Sequence, residues 1–369
     1  MVKKTDLHPF IVFAIIIFYA FIEGFRMPNL WSINYYLPSF FDGFYRRALI
    51  GTILSFLGDL RFNYYTIAVV QFSVLISLIV WIYYFFQKNI LMMLVISLYL
   101  VSPAGAYIFH EVGYIDQLLY LVLFISISIF KKHKTLSIIL FSSSILIHEL
   151  TLFVTLPIYF TYLYLSTDDL RKSILYTLPS ITLFLIIYIF FQTVPEDRVE
   201  LFMENISNFS NYGLRSDFYT VFTNTFTGSR NKSYYYLNSL NQILLLLSVA
   251  SLTSLIVYTV SKKQILLSLL VLLVGLSPLA LGFFGWDPYR WYFLSLSSLT
   301  TIFVVVLLHY KITVTEIASM QSVAVLYFIF YILLISNIYL GYFDGYKHRH
   351  LTINSIEKVK IEFMKIPNR

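Results

Sequence analysis

Cysteine is absent from this sequence, and so are the short motifs that mark several common classes of soluble enzyme. Without cysteine the chain has no disulfide, no zinc–thiolate site and no catalytic thiol. It contains no GxxxxGK-S/T loop for nucleotide phosphates, no GxSxG turn for a nucleophilic serine and no HExxH helix for catalytic zinc. P-loop nucleotide hydrolysis, serine hydrolysis of this type and zinc proteolysis are therefore excluded.

Charged side chains are scarce as well. They make up 12% of the residues, against about 25% in soluble domains, whereas 59% of the residues are hydrophobic and the mean hydropathy is +0.76. Apolar runs of about 20 residues, the length that crosses a bilayer as a helix, recur along the whole chain. The sequence therefore predicts an all-α polytopic integral membrane protein. Its net charge of +7 does not indicate a nucleic-acid partner, because membrane orientation accounts for the lysines.

We expect the 369 residues to form a single transmembrane domain with about 10 or 11 membrane-spanning helices. Three less apolar stretches interrupt or follow these spans: a first outer loop over 27–63, a large hydrophilic loop over 192–242 and a basic C-terminal tail over 343–369. The count of spans depends on the apolar block Leu136–Leu165, which is interrupted by His148-Glu149.

The path of that block also decides on which side of the membrane each loop of the second half of the chain lies. If it doubles back as two short helices, ten of the fifteen lysines lie on one face, which the positive-inside rule makes cytoplasmic, and most arginines lie on the other. If it crosses the membrane once, the second half of the chain is inverted, and counting Lys and Arg after residue 166 favours that arrangement by eleven to five. We prefer the hairpin, because guanidinium groups suit phosphate recognition at the outer face.

Within the first outer loop, the stretch Asn34–Asn63 is too apolar for a solvated loop and too charged to cross a bilayer. Asp42 and Arg46 are four residues apart, so on a helix they share one face. We interpret the stretch as an amphipathic helix at the membrane interface that carries charge towards a ligand lying there. The alternative is an amphipathic linker whose arginines contact only phospholipid headgroups.

Charged residues form four clusters at the ends of predicted spans. If the block Leu136–Leu165 doubles back, all four clusters lie at the outer face. Structural roles also exist: Asp287 before a proline is a good helix start, and His110-Glu111 suits a solvated turn. His148-Glu149 is harder to explain in this way, because ionisable residues within apolar spans are costly and usually face a cavity or a partner. The clusters are Asp42, Arg46 and Arg47 with Arg61; His110 and Glu111 with Asp116; His148 with Glu149; and Asp287 with Arg290.

Sugar transfer from a polyprenyl phosphate or pyrophosphate carrier requires this combination of groups. A carboxylate or histidine must accept the proton of the acceptor hydroxyl. Cationic donors must stabilise the charge that develops on the departing phosphate. His110, Glu111 and Asp116 could in principle hold a divalent ion, but their spacing is not specific, so we predict no metal site and no other cofactor.

The motif FDGFYRRALIGT places an acidic residue, Asp42, in the first outer loop, where it resembles the catalytic carboxylate of the GT-C membrane glycosyltransferases. The motifs GYIDQLL, ILIHELTLFVTLPI and WDPYRW, with about ten spans and one hydrophilic insert, are similar to bacterial O-antigen and capsule repeat-unit polymerases. The chain departs from oligosaccharyltransferases and mannosyltransferases, because it has no paired acidic residues after the first span and no large C-terminal soluble domain.

This resemblance implies an enzyme of the bacterial inner membrane whose active site lies at the outer face. Its substrate would be a polyprenyl-(pyro)phosphate-linked oligosaccharide, with membrane lipid and a chain-length regulator as further partners. Asp42 or His148-Glu149 would act as the base, and Arg46, Arg47 and Arg290 would hold the pyrophosphate. The residues expected to bind the rest of the substrate are Arg61, His110, Glu111, Asp116 and Asp287.

Two other classes of function remain open. A transporter or flippase of lipid-linked saccharides usually has charges along a path at mid-membrane and internal repeats, and neither is visible in the sequence. A membrane acyltransferase that modifies surface sugars would use a buried His–Glu pair, for which His148-Glu149 is the candidate.

Overall fold

The computed structural model confirms the all-α prediction, because every regular element that it describes is a helix. The described residues are 7–43, 46–191, 194–213, 240–262, 264–283, 287–313, 316–317, 321–337 and 353–364. The helices of the first half are α1 (Leu7–Gly24), α2 (Leu30–Asn34), α3 (Leu49–Leu54), α4 (Tyr64–Phe86), α5 (Ile90–Val101), α6 (Pro103–His110), α7 (Ile115–Phe130) and α8 (Lys134–Ile147). Those of the second half are α9 (Thr155–Thr167), α10 (Leu170–Phe190), α11 (Glu196–Phe209), α12 (Leu240–Val260), α13 (Ile265–Leu276), α14 (Pro288–His309), α15 (Gln321–Asn337) and α16 (Ile353–Met364).

Several of these helices are long and apolar enough to cross a membrane, as expected for a polytopic protein. In the described part of the chain there are five, namely α4, α10, α12, α14 and α13 with the 3-10 turn that follows it; the pair α5–α6, bent by 66°, makes a sixth. Other predicted spans, among them α1, α7, α8 and α15, are shorter apolar helices. Among the residues that the structure describes there are thus five full-length spans, or six if the bent pair is one span, where the sequence predicted ten or eleven. Helix α14 is the centre of the bundle, since 89% of its apolar stretch is buried, whereas only 22% of the apolar stretch of α10 is buried.

The apolar block Leu136–Leu165 doubles back, as preferred from the sequence. Helices α8 and α9 form its two arms, and a 3-10 turn, Glu149–Leu152, reverses the chain between them. The two arms contact each other, since the hydroxyls of Ser137 and Tyr159 lie 2.7 Å apart and the ring of Phe141 stacks on Tyr159 at 4.1 Å. His148 and Glu149 therefore lie at the tip of a helical hairpin.

The two ends of the bundle differ in their charged residues. At one end, which we call the lysine end, Lys88, Lys131 and His309 line a single cavity. At the opposite end, which we call the arginine end, the first loop meets the hydrophilic loop: the amide oxygen of Asn211 accepts a hydrogen bond of 2.9 Å from the backbone of Tyr64. The C-terminal helix α16 lies at the arginine end too, because Phe363 stacks on Phe25 at 4.6 Å, immediately after α1.

The first outer loop is not one continuous helix, and in this respect the sequence prediction is wrong. A 3-10 turn over Phe40–Asp42 ends at Gly43, which has a φ of 128°. Arg47 is in the left-handed region with a φ of 67°, so the chain turns sharply before α3 begins. Asp42 and Arg46 therefore do not share a helical face. The left-handed conformation instead turns Arg47 away from the loop, towards the tip of the α8–α9 hairpin.

The second part of the first loop retains the predicted interfacial character in shorter pieces. Helix α3 continues into a 3-10 segment over Ser55–Phe62 that is broken at Gly58, where φ is 59°. Ile53, Phe56 and Leu60 are exposed on these pieces. An exposed apolar surface next to the membrane spans is typical of a segment that lies in the lipid interface.

Close packing of α1 against α6 positions the start of the first loop. A Cβ atom on Gly24 would lie 1.8 Å from the backbone oxygen of Ala106, so only glycine allows this approach. Immediately afterwards, the backbone N–H of Arg26 donates a hydrogen bond of 3.2 Å to the carbonyl of Phe109. The contact brings Arg26 beside the turn that follows α6, where Glu111 lies.

Candidate functional site

An arginine–carboxylate pair joins the first loop to the tip of the helical hairpin at the arginine end. The Nε atom of Arg47 donates to both carboxylate oxygens of Glu149, at 2.8 and 3.1 Å, and its Nη2 atom contacts Oε1. A second guanidinium, that of Arg46, lies 3.7 Å from the same oxygen. Burial alone would raise the pKa of Glu149, but the charges of Arg47 and Arg46 and the hydrogen bonds from Arg47 act together with the neighbouring His148 to lower this pKa well below its ordinary value. Glu149 is therefore a fixed anion that anchors two cations.

His148 has a structural role next to this pair. Its Nδ1 atom accepts a hydrogen bond of 3.1 Å from the backbone N–H of Leu150, which caps the 3-10 turn of the hairpin. Nδ1 also lies 3.4 Å from Glu149, but an atom that accepts this hydrogen bond carries no proton to share with a carboxylate. Burial first, and then the charge of Arg47, lower the pKa of His148, so the imidazole is neutral.

A second buried pair joins α7 to α14. The Nε and Nη2 atoms of Arg290 donate to the two carboxylate oxygens of Asp116 at 2.8 and 2.7 Å. Both residues are buried, and the ring of Tyr114 lies 5.0 Å from the guanidinium carbon. This is the planar, bidentate geometry in which arginine binds carboxylate and phosphate groups strongly.

Two further acidic residues of the predicted site lie near Arg290 but are not held by its side chain. Asp287 caps α14, because its Oδ1 atom accepts a hydrogen bond of 3.3 Å from the backbone N–H of Arg290. Burial raises the pKa of Asp287 to about 6. Burial likewise raises the pKa of Glu111 to about 7, although Arg26 and Arg290 oppose the shift. The structural interpretation of Asp287 as a helix cap is thus confirmed.

The two arginine pairs belong to one electrostatic site. The ring of Tyr35 lies 5.8 Å from the guanidinium carbon of Arg47 and 5.8 Å from the ring of His148. The charge of Arg290 acts on both Arg47 and His148. The first loop, the turn before α7, the hairpin tip and the start of α14 therefore contribute to one cluster, which we call the arginine-end site.

An apolar cavity lies below the arginine-end site. Its volume is about 80 Å³, it lies between α4, α5, α7 and α14, and Glu111, Asp116 and Gln117 line its polar end. Two pairs of hydroxyls along its wall bind each other, since Tyr99 lies 2.7 Å from Ser297 and Tyr120 lies 2.9 Å from Ser298. With these hydroxyls paired, the wall offers an apolar surface to a ligand.

Most of the site residues that the sequence singled out converge, and a few do not. Arg46 lies beside Glu149, Asp287 beside Arg290 and His110 beside Glu111. Arg61 instead lies 4.5 Å from the ring of Phe62, beside the hydrophilic loop. Asp42 ends a 3-10 turn, and its side chain lies outside the described part of the structure.

Sequence reasoning missed one contributor, Arg26, whose charge acts on the buried carboxyl of Glu111. The available signal was weak, since Arg26 is one basic residue directly after the first span. Within the described ranges, no group of three or more His, Cys, Asp or Glu residues is placed to hold a metal ion. Comparison with known proteins gives no family, because no family model, no curated protein and no solved structure matches the chain.

Proposed function

We propose that this protein is a membrane glycosyltransferase that takes a sugar from a polyprenyl phosphate or pyrophosphate carrier, and that it joins saccharide repeat units into a polymer. The observation that carries the proposal is the convergence of four separate segments into the arginine-end site. Three guanidinium groups, those of Arg46, Arg47 and Arg290, lie there together with carboxyl groups of two kinds, fixed anions and groups with raised pKa values.

The guanidinium groups supply what a departing pyrophosphate needs. Arginine donates paired hydrogen bonds to phosphate oxygens in the same planar geometry in which Arg47 and Arg290 now bind carboxylates. Buried cations that are already oriented stabilise developing negative charge without reorganisation. In this account Glu149 and Asp116 hold the arginines in place, and the phosphate adds to their contacts.

The apolar cavity supports a lipid-borne donor. It opens from the charged residues into a wall of Leu, Ile, Phe and Val side chains, so an apolar chain could lie there while its charged head remains among the arginines. A free nucleotide sugar would gain nothing from such a surface. A lipid-linked sugar gains a contact along its isoprenoid chain.

The distribution of charge supports a site on the outer face of a bacterial inner membrane. Lysines in short loops mark the cytoplasmic side, and Lys88, Lys131, Lys172 and Lys262 lie at or beside the ends of helices that lead away from the arginine-end site. The arginine end would then face outwards, where lipid-linked repeat units are joined. A chain-length regulator would act from the same side.

The test is product analysis after deletion of the gene in its own host. We expect the surface polymer to shorten to single repeat units while lipid-linked units accumulate on the outer leaflet, and the wild-type gene to restore the polymer. Lipid-linked units that accumulate on the inner leaflet would indicate a flippase instead. A full-length polymer that lacks acyl groups would indicate an acyltransferase, and either result would overturn the proposal.

A further inference from the structure

We infer that Glu111, in the turn between α6 and α7, is the group that accepts the proton of the acceptor hydroxyl. This assignment rests on the proposed glycosyl transfer and gives Glu111 a catalytic role, in place of the role in sugar positioning that the sequence predicts. It is an alternative to both bases that the sequence suggests, which are His148-Glu149 and Asp42, whose side chain lies outside the described part of the structure.

Four other carboxylates at the arginine end have partners that argue against them. Glu149 is bound by Arg47, and Asp116 is bound in the same bidentate geometry by Arg290. In both pairs each carboxylate oxygen already accepts a hydrogen bond from the guanidinium, so neither is free to accept a proton. Asp287 is occupied by the cap of α14, and Glu23 accepts a hydrogen bond of 2.5 Å from the hydroxyl of Tyr19.

Glu111 is placed differently. It lines the polar end of the apolar cavity. Its Oε2 atom has no hydrogen-bond partner among the described residues, whereas Oε1 lies 3.5 Å from Nε2 of His110. The side-chain amide of Gln117 donates to the backbone oxygens of Ile108 and Glu111, at 2.7 and 3.1 Å, and fixes the turn. The turn thus holds one carboxylate oxygen ready to accept a proton.

The groups that surround Glu111 set its pKa near the pH at which a base works best. Burial and the charge of Asp287 raise this pKa, Arg26, Arg290 and the hydroxyl of Tyr114 lower it, and the net result is a pKa of about 7. A general base is most effective when its pKa lies near the working pH. A base must be ionised to act, so transfer is expected to fall as the pH drops below about 7 and to level off above it.

The chemical step balances without a further reactant. The oxygen of the acceptor hydroxyl forms a bond to the anomeric carbon of the donor sugar, and its proton moves to Glu111. The bond between that carbon and the pyrophosphate oxygen breaks, and the electron pair leaves with the polyprenyl pyrophosphate. The proton on Glu111 is then released to the solvent.

The experiment compares wild type, Glu111→Gln and Glu111→Asp in proteoliposomes that contain lipid-linked oligosaccharide isolated from the host. In wild type we expect the single-turnover rate to rise about tenfold per pH unit up to about pH 7. At pH 8 we expect E111Q to be slower by about 100-fold or more and to lose the pH dependence, while E111D keeps the pH dependence at a reduced rate. The matched control is Glu204→Gln on the exposed face of α11, which should behave as wild type.

The stability of E111Q distinguishes a catalytic role of Glu111 from a structural one. Because folding raises the pKa of this carboxyl above its ordinary value, stability is greatest when the group is protonated and falls as the pH rises through about 7. Glutamine mimics the protonated form, so E111Q should unfold no more easily than wild type at pH 8 while transfer is lost. Wild-type transfer rates in E111Q would overturn the role of Glu111 and leave the proposed function standing. No transfer by the wild-type protein would overturn both.

Discussion

Replacing Arg290 with glutamine is expected to abolish polymer formation and to lower the free energy of unfolding by about 3–5 kcal/mol. The pair with Asp116 is buried and bidentate, with hydrogen bonds of 2.7 and 2.8 Å from the guanidinium to the two carboxylate oxygens. Removing the guanidinium therefore leaves a carboxylate in an apolar interior without its partner. Denaturant titration in mixed micelles measures the loss of stability, and the length distribution of the surface polymer measures the loss of function.

A double replacement separates the two effects. Asp116→Asn combined with Arg290→Gln removes both charges, so we expect most of the stability to return because no uncompensated charge remains. Function should not return, because the group that binds phosphate is still missing. Arg198→Gln on the exposed surface of α11 is the matched control and should change neither quantity. Recovery of polymer in the double variant would show that Arg290 serves only to neutralise Asp116.

Replacing Arg47 with lysine is expected to lower the turnover number by about 100-fold, although the positive charge is retained. Arg47 binds Glu149 through Nε and Nη2 together, and an ammonium group cannot reproduce this fork. The contact also fixes the first loop on the hairpin tip, 102 residues further along the chain. Single-turnover assays at saturating donor would measure the effect.

The appropriate control for Arg47 is the same exchange at the exposed Arg198, which should leave turnover unchanged. Glu149→Gln should resemble R47K, because it removes the anion that orients the guanidinium. An R47K variant that keeps wild-type turnover would contradict a role for the guanidinium geometry. It would leave only a role for charge.

The transmembrane architecture could be predicted because it depends on long apolar runs. The run that predicts a span over Tyr64–Phe86 gives helix α4 with the same bounds. The run Ile90–Phe109 also predicts one span, but the chain bends by 66° between α5 and α6. The break is local, since the hydroxyl of Ser102 caps α6 and Pro103 occupies its first turn. Average hydrophobicity does not detect a cap inside an apolar run.

The site was predictable in its residue types but not in its pairing. Spacing on a helix pairs Asp42 with Arg46, whereas the structure gives Arg47 a left-handed backbone and pairs it with Glu149. That partner is set by the return of the α8–α9 hairpin, a tertiary contact that no local pattern encodes. The distinction between Glu149, a fixed anion, and Glu111, a carboxyl of raised pKa, likewise depends on neighbours distant in sequence.

The most direct test of the account is the sidedness of three single-cysteine variants, which the cysteine-free sequence makes straightforward. Ser207 is exposed at the arginine end, and Lys132 and Lys172 are exposed before and after the α8–α9 hairpin. With a membrane-impermeant maleimide on spheroplasts, we predict that Ser207→Cys is labelled, whereas Lys132→Cys and Lys172→Cys are labelled only after the membrane is permeabilised. Labelling of Lys172→Cys from outside, or protection of Ser207→Cys, would contradict a single site on the outer face.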